Sequence, residues 1–453
     1  MKRKYITFLQ DWISSDQRKP LVIRGARQVG KTWLVRYFAE KQGKKLIEIN
    51  LEKTPQLASH FESNDPKQFL LLLSSVLKEP IDPEKSLLFL DEIQAVPEML
   101  AKLRWLAEDM PQLPVIAAGS LLEFIIEKHT FSMPVGRISY MHMEPLSFEE
   151  FLVASDRQPL VDYLNAFEWG MKIPLAIHEE LMKLFKEYVV IGGMPAAVST
   201  WLSTHSLQKV SQIQNDLLAT YHDDFNKYRG RIELERLAEV MKAVPQLLSE
   251  KFVFSKINPD VQIPALKQSL DLLCKARVCH RVTSCHANGV PLGAGIDKKF
   301  IKVIFLDVGL CCASLDLSMS EIATTEELVL YNRGAIAEQV VGQQLRTINF
   351  PYIEPKLFYW LREEKGSSAE VDYIIQAGPQ VVPVEVKAGS TGTLRSLHLF
   401  MGLKKLPDAV RVNSDYPSKM EVQAKDAFDN NVQYNLISIP FYLLGQVKRL
   451  LKM

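Results

Sequence analysis

One octapeptide constrains the fold of this chain more than any other feature. Gly25-Ala26-Arg27-Gln28-Val29-Gly30-Lys31-Thr32 satisfies G-x-x-x-x-G-K-[ST] at every defined position. It follows the apolar run Leu21-Val22-Ile23 and opens a helical pattern over 32–40. The physics of such a loop needs that context. The glycines let backbone N–H groups curl around phosphate oxygens, and the helix N-terminus adds its positive end. Lys31 is placed to reach the β- and γ-phosphates, and the Thr32 hydroxyl to ligate Mg²⁺. The run expected to contact ATP is Gly25, Ala26, Arg27, Gln28, Val29, Gly30, Lys31, Thr32 and Trp33.

A loop of this kind needs an acidic partner at the end of another buried strand. Leu87-Leu88-Phe89-Leu90-Asp91-Glu92 supplies it. Asp91 is expected at the Mg²⁺ and Glu92 as the general base that polarises water. A further apolar run, Val115-Ile116-Ala117-Ala118, ends in Gly119-Ser120. Ser120 has two readings: it orients the lytic water, or it caps a helix over 121–127. Arg104 and Arg137 are candidates for stabilising charge during hydrolysis, in cis or across a subunit interface; Arg137 is carried forward as the catalytic one.

With Leu46-Ile47-Glu48-Ile49, these runs make four candidate strands in the first 150 residues, alternating with helical patterns. That alternation predicts a parallel α/β sheet covered on both faces. Across 453 residues, 47% apolar and 24% charged, the composition is that of a folded globular chain and excludes dominant disorder or a fibre. A formal charge of +1 means that any nucleic-acid surface must be local. No apolar run approaches the ~18 residues of a membrane span, and Asp11 interrupts the basic start before a leader can form. Five cysteines without a C-x-x-C pair read as reduced, buried thiols of a cytoplasmic protein. The Cys279-His280 and Cys285-His286 steps match no zinc-finger spacing.

Beyond residue 147 the pattern is helical to about 229, broken at Gly192-Gly193-Met194-Pro195, where Pro195 suits the first position of a new helix. Over 231–310, three helical patterns run into a strand pair, 279–284 and 300–306, joined by turn chemistry; this predicts a winged helix-turn-helix. A helix over 332–346 then precedes strands at 357–362, 370–375 and 381–387. The expected division is an ATPase core over 1–146, a helical lid over 147–230, the winged helix over 231–310 and a last domain over 311–453.

The last two of those strands carry a second candidate site. Glu370 and Asp372 share one face of their strand, and Glu385 and Lys387 share one face of the next. A symmetric turn about Gly378-Pro379 places Asp372 opposite Glu385 and Glu370 opposite Lys387. Facing carboxylates repel unless a cation lies between them, which a divalent metal would provide, with Lys387 at the attacking water or leaving oxygen. The alternative is a solvated hairpin face with a Glu370–Lys387 ion pair worth under about 1 kcal/mol.

The succession R-G-A-R-Q-V-G-K-T, L-L-F-L-D-E-I-Q, A-A-G-S, Gly136-Arg137 and Pro145-Leu146-Ser147-Phe148-Glu149-Glu150-Phe151 resembles prokaryotic AAA+-type ATPases that end in a domain of unknown function. Gly192-Gly193-Met194-Pro195 is similar to the family's lid-region Gly-Gly-aromatic-Pro, with Met194 in the aromatic place. Phe305-Leu306-Asp307-Val308-Gly309-Leu310 and Pro383-Val384-Glu385-Val386-Lys387 extend the resemblance. It implies an α/β ATPase with lid, winged helix and a mixed α/β C-terminal domain similar to restriction-endonuclease-like PD-(D/E)XK nucleases. In that comparison Asp372, Glu385 and Glu338 stand as metal ligands and Lys387 as a catalytic residue.

Residues 251–302 hold nine Lys/Arg against three Asp, a concentration that falls on the winged-helix candidate and suits double-stranded DNA. The sequence thus predicts an ATPase whose nucleotide state is coupled to a DNA-binding, nuclease-like module, with homo-oligomers possible and no membrane partner. The other reading is a nucleotide-gated switch that binds protein partners through a silent nuclease fold.

Overall fold

The computed structural model describes residues 1–54, 65–120, 122, 136–225, 233–317, 333–364, 367–387 and 393–451. The chain forms two compact units. The first comprises Met1–Glu144 with Lys275–Arg277 and Phe350–Glu354; the second holds Pro145–Cys274, Val278–Asn349 and Pro355–Met453.

The first unit is built on five strands: β1 (Leu21–Arg24), β2 (Lys45–Asn50), β3 (Ser86–Asp91), β4 (Val115–Gly119) and β5 (Ser139–His142), in the order β2-β3-β4-β1-β5. Every pairing is parallel. Its helices are α1 (Tyr5–Ile13), α2 (Lys31–Lys41), α3 (Pro66–Leu77) and α4 (Glu98–Asp109). The four apolar runs of the sequence are β1 to β4, and β3 is buried at every position. Val22, Ile47, Leu88 and Ala117 of the sheet pack with Phe69 and Leu73 of α3 and with Leu100 and Leu103 of α4. Asp65 caps α3 by accepting from Lys67 N at 2.9 Å, with Pro66 at the first helical position. Strand β5 was not visible as an apolar run, because Ser-Tyr-Met-His is short and half-buried at its start; pairing with β1 over Leu21–Arg24 defines it.

The second unit begins with α5 (Phe148–Ala154), α6 (Gln158–Ala166), α7 (Leu175–Ile191), α8 (Pro195–Thr204), α9 (Leu207–Asp223), α10 (Leu234–Gln246) and α11 (Ile263–Lys275). Strands β6 (Cys279–Cys285) and β7 (Ile296–Phe305), helices α12 (Val308–Ser314) and α13 (Arg333–Leu345), and strands β8 (Leu357–Glu364), β9 (Ser367–Ala377) and β10 (Gln380–Val386) follow. The chain ends through α14 (Arg395–Lys404), β11 (Asp408–Asn413), β12 (Ser418–Lys425), β13 (Asn431–Pro440) and α15 (Val447–Leu451). Ser147 and Glu150 form a reciprocal capping box that starts α5. Gly192 breaks the chain after α7 at φ 78°, and Pro195 opens α8, as the sequence predicts.

At that break Gly193 N donates to Asp307 Oδ2 at 2.6 Å, and Leu146 N donates to Gly193 O at 2.7 Å. A side chain on Gly193 would fall on the Leu146 carbonyl oxygen. Asp307 is fully buried, caps α12 through Leu310 N at 3.1 Å and accepts from Gln343 Nε2 at 2.9 Å.

Eight strands form one sheet in the order β12-β13-β11-β10-β9-β8-β6-β7. The β6–β7 pair expected as a wing is therefore not free-standing: β6 runs parallel to β8, with Val282 paired to Leu357. Its second edge is taken because β6 is buried at five of its seven positions, which a solvent-facing wing would not support. All five cysteines are free thiols, four of them buried. Among the described residues, no helix is long and apolar enough to cross a membrane.

Candidate functional site

Strand β1 delivers the chain into the glycine loop at the C-terminal edge of the parallel sheet. Gln28 and Gly30 adopt left-handed φ of 62° and 94°, the curl that turns successive N–H groups inward before α2 starts at Lys31. A side chain at Gly25 would reach within 2.5 Å of the Met143 carbonyl oxygen, so only glycine lets the strand pass. Lys31 is buried, and its Nζ donates to Gly25 O at 3.0 Å and Ala26 O at 2.8 Å. Burial pulls the ammonium down to about 8, against the opposing pull of Glu92 and Asp91. Ala26 and Val29 are buried under the loop, whereas Gln28 is exposed. Trp33 is exposed on α2 and stacks on Tyr37 at 4.9 Å between centroids.

Thr32 Oγ1 donates to Asp91 Oδ2 at 2.9 Å, which joins the loop to the end of β3. Burial raises the Asp91 carboxyl, while the Thr32 bond opposes the rise. A hydroxyl and a carboxylate converging at hydrogen-bond distance are the all-oxygen donor set that Mg²⁺ takes. Thr32 and Asp91 therefore fit the ion that the loop motif implies. Glu92 sits just beyond, at φ 51°, and accepts from Gln94 Nε2. Gln94 was not anticipated; a polar side chain two residues after the Asp-Glu step was its only signal. Its other atom, Oε1, is buried without a hydrogen-bond partner among the described residues, and lies where a side chain at Gly119 would be. Next to it in sequence, Ser120 Oγ is likewise buried and lacks a partner among the described residues. The helix that Ser120 would cap, over 121–127, lies outside the described residues except for Leu122.

The two candidate arginines meet on one carboxylate: Arg137 Nε lies 2.7 Å, and Arg104 Nε 3.2 Å, from Glu108 Oε1. Both are about half exposed. A third arginine, read from sequence only as part of the basic region, belongs to this unit instead. Arg277 is buried at φ 60°, with Nη2 3.2 Å from His142 Nδ1 and Nη1 3.7 Å from Glu144 Oε1. His142 pairs with Arg24 at the end of β1, so this group borders the glycine loop. Burial, then Arg277 and Arg24, hold the His142 imidazole down at about 4.

In the second unit, the hairpin register is the predicted one: Gln380 pairs with Ala377 and Val384 with Tyr373. Asp372 Oδ2 accepts from Val386 N at 2.7 Å, and Lys387 Nζ donates to Glu385 Oε1 at 2.7 Å. The Glu385 carboxyl is pushed up to about 7 by burial and by Asp372, and its Oε2 has no hydrogen-bond partner among the described residues. The acids that gather most closely are Glu338, Glu370 and Asp372, each offering an oxygen within 4.8 Å of the others. Glu370, expected to face Lys387, instead accepts from Lys302 at 2.7 Å. Glu338 accepts from the same ammonium at 2.6 Å. Burial alone would lower Lys302, but Glu338, Glu370 and Asp372 raise it well above the ordinary lysine range. A divalent ion held between Glu338 and Glu370 would share its place with a buried positive charge, so these two acids, of which only Glu338 belongs to the implied set, do not fit a metal as they stand.

Lys302 and Arg277 are thereby withdrawn from the basic surface expected over 251–302. Lys251 pairs with Glu363, Lys256 with Glu250 and Arg281 with Asp271. Lys267, Lys298 and Lys299 stay exposed.

Three family models match along the chain: an AAA domain over residues 17–152, a domain of unknown function (DUF8612) over 182–321 and another (DUF4143) over 333–441. A search of curated proteins gives no match. Among solved structures, the Aeropyrum pernix ORC2 protein is similar at 12% identity and a TM-score of 0.34, over 70% of this chain and 92% of that one. PCH-2 of C. elegans is similar at 10% identity and a TM-score of 0.28, over 44% of this chain and 59% of that one, so the chain spans about three fifths of its length. With the glycine loop, the Thr32–Asp91 contact and the parallel sheet in place, the segment 17–152 is similar to an AAA domain in both motif and sheet.

Proposed function

We propose that this chain is a Mg²⁺-dependent ATPase whose nucleotide state is coupled to a DNA-binding second unit with a nuclease-like fold. The observation that carries the ATPase reading is the Thr32–Asp91 contact at 2.9 Å, beside a Lys31 ammonium held on loop carbonyls. Lys31 exchanges those carbonyls for the β- and γ-phosphate oxygens, and the N–H groups from Gly25 to Thr32 line the polyphosphate. Thr32 and Asp91 would hold Mg²⁺, which when bound would neutralise charge on the phosphates. Glu92, steadied by Gln94, takes the proton of the attacking water, and Ser120 orients that water. Arg137 supplies charge to the transition state once it leaves Glu108, a role suited to a subunit interface in a homo-oligomer.

The chain's output is assigned to the second unit, whose helices from residue 148 on serve as the lid and whose eight-stranded sheet joins the strand pair read as a wing to the nuclease-like strands. The exposed Lys267, Lys298 and Lys299 support DNA binding. The alternative, a nucleotide-gated switch for protein partners with a silent nuclease fold, is favoured by one observation: Lys302 already neutralises Glu338 and Glu370.

ATP hydrolysis measured with and without duplex DNA, together with cleavage of labelled DNA, tests both. Hydrolysis stimulated by DNA, and weakened stimulation in a Lys298→Ala/Lys299→Ala variant, supports the first reading. A rate indifferent to DNA sinks the coupling and leaves the switch. Cleavage by wild type that disappears in Asp372→Ala/Glu385→Ala would overturn the silent fold.

A further inference from the structure

We propose that the Lys302 ammonium is the resident cation of the Glu338–Glu370–Asp372 cluster, so that this chain takes no divalent ion there. The inference concerns the second unit alone and does not depend on the ATPase reading.

Three different elements converge on the ammonium. Lys302 is placed by β7, where it pairs with Val282 of β6, and only 2% of its surface is exposed. Glu338 comes from α13 and Glu370 from β9, and they accept from Nζ at 2.6 and 2.7 Å. Asp372, two residues along the same face of β9, completes the group and is anchored by Val386 N. Tyr359 of β8 lies below, its ring centroid 5.5 Å from Nζ. An ammonium is not buried without carboxylates to hold it, and carboxylates this close are not stable without a cation. Each satisfies the other's need. An ion ligating Glu338 Oε2 and Glu370 Oε1 would compete for the two oxygens that Nζ already holds.

The hairpin acids follow the same logic at a second position, where Lys387 serves Glu385 at 2.7 Å. The cluster therefore holds its own positive charges in side chains. Methionine is uncharged and one atom shorter than lysine, so Lys302→Met should vacate the Nζ position while keeping the apolar stem, and so create among the three carboxylates the divalent site that the native residue pre-empts.

The test is Mn²⁺ binding by electron paramagnetic resonance on the full chain without nucleotide. An Asp91→Asn background keeps the glycine loop from contributing. With Lys302 in place, we expect no bound Mn²⁺ at concentrations that saturate the Lys302→Met form. Lys302→Met should take up one ion per chain, and Lys302→Met/Asp372→Asn should lose it again. Mn²⁺ bound with Lys302 present and lost on Asp372→Asn would overturn the proposal. So would a folded Lys302→Met that binds none. If Lys302→Met does not fold, Lys302→Met/Glu338→Gln/Glu370→Gln should, because the charge that needed compensation is gone. Failure of that rescue would show that the ammonium is not there to balance these acids.

Discussion

The Thr32 hydroxyl and the Asp91 carboxylate, fifty-nine residues apart in sequence, are hydrogen-bonded at 2.9 Å and tie the glycine loop to the end of β3, across the intervening β4. In a Thr32→Val variant, Asp91 loses this partner while remaining largely buried, at a cost of about 1–3 kcal/mol. The expected outcome is a lower unfolding midpoint in the absence of nucleotide. Mg²⁺ should then no longer strengthen ATP binding, as titration with a fluorescent analogue in Mg²⁺ or EDTA can show. Unchanged Mg²⁺ dependence would remove Thr32 from the metal.

Lys31 gives nucleotide binding a pH signature. Its ammonium is held at about 8 by burial, below the ordinary 10.5, so the free protein loses this proton as the pH rises through about 8. Bound phosphates favour the charged form, so binding takes the proton back up. Affinity should be flat below about pH 7 and fall above pH 8, by up to tenfold per pH unit. Calorimetry at pH 8.5 in two buffers of different ionisation enthalpy should register proton uptake. Lys31→Ala should bind too weakly to measure, and normal binding there would refute the loop assignment.

Replacing Glu92 with Gln retains the hydrogen-bonding shape but removes the base. Hydrolysis should slow by about 10²–10⁴-fold with ATP affinity kept, so that ATP is recovered intact from the filtered complex. Gln94→Ala should slow turnover less, since it acts by positioning Glu92.

The tight turn at Gly193 makes a stability prediction for the second unit. Adding one methyl group forces it into the Leu146 carbonyl and disturbs the Gly193–Asp307 bond. Gly193→Ala should destabilise by about 2–3 kcal/mol, read as a lowered urea midpoint, whereas Gly334→Ala in α13, with open space around it and no left-handed φ, should not.

What the sequence made legible was local. The strands β1 to β4 are near-continuous apolar runs, broken only by Glu48 in β2, the loop is a contiguous motif, and the β9–β10 register follows from a single turn. Long-range pairing left no comparable trace. Nothing in Lys302 itself separates it from Lys298 or Lys299, yet one is enclosed by three acids and the others face water. Arg277 carries the same lesson, since its role depends on His142 and Glu144, more than 130 residues earlier in the chain. The β6–β7 pair was recognised as strands, but β6's parallel partner β8 lies more than seventy residues further along the chain, beyond α12 and α13, out of reach of hairpin reasoning.

The first unit also takes in Phe350–Glu354. His142 N donates to Pro351 O at 2.8 Å, and Tyr352 packs beside Phe8. A ribosome releasing this chain from its N-terminus has therefore not finished the nucleotide-binding unit when residue 144 emerges; it must make two hundred more. A fragment cut after the last strand of the parallel sheet would expose the edge of β5 and the ring of Phe8. The matched AAA span is a recognisable segment of sequence, but it is not a separable part.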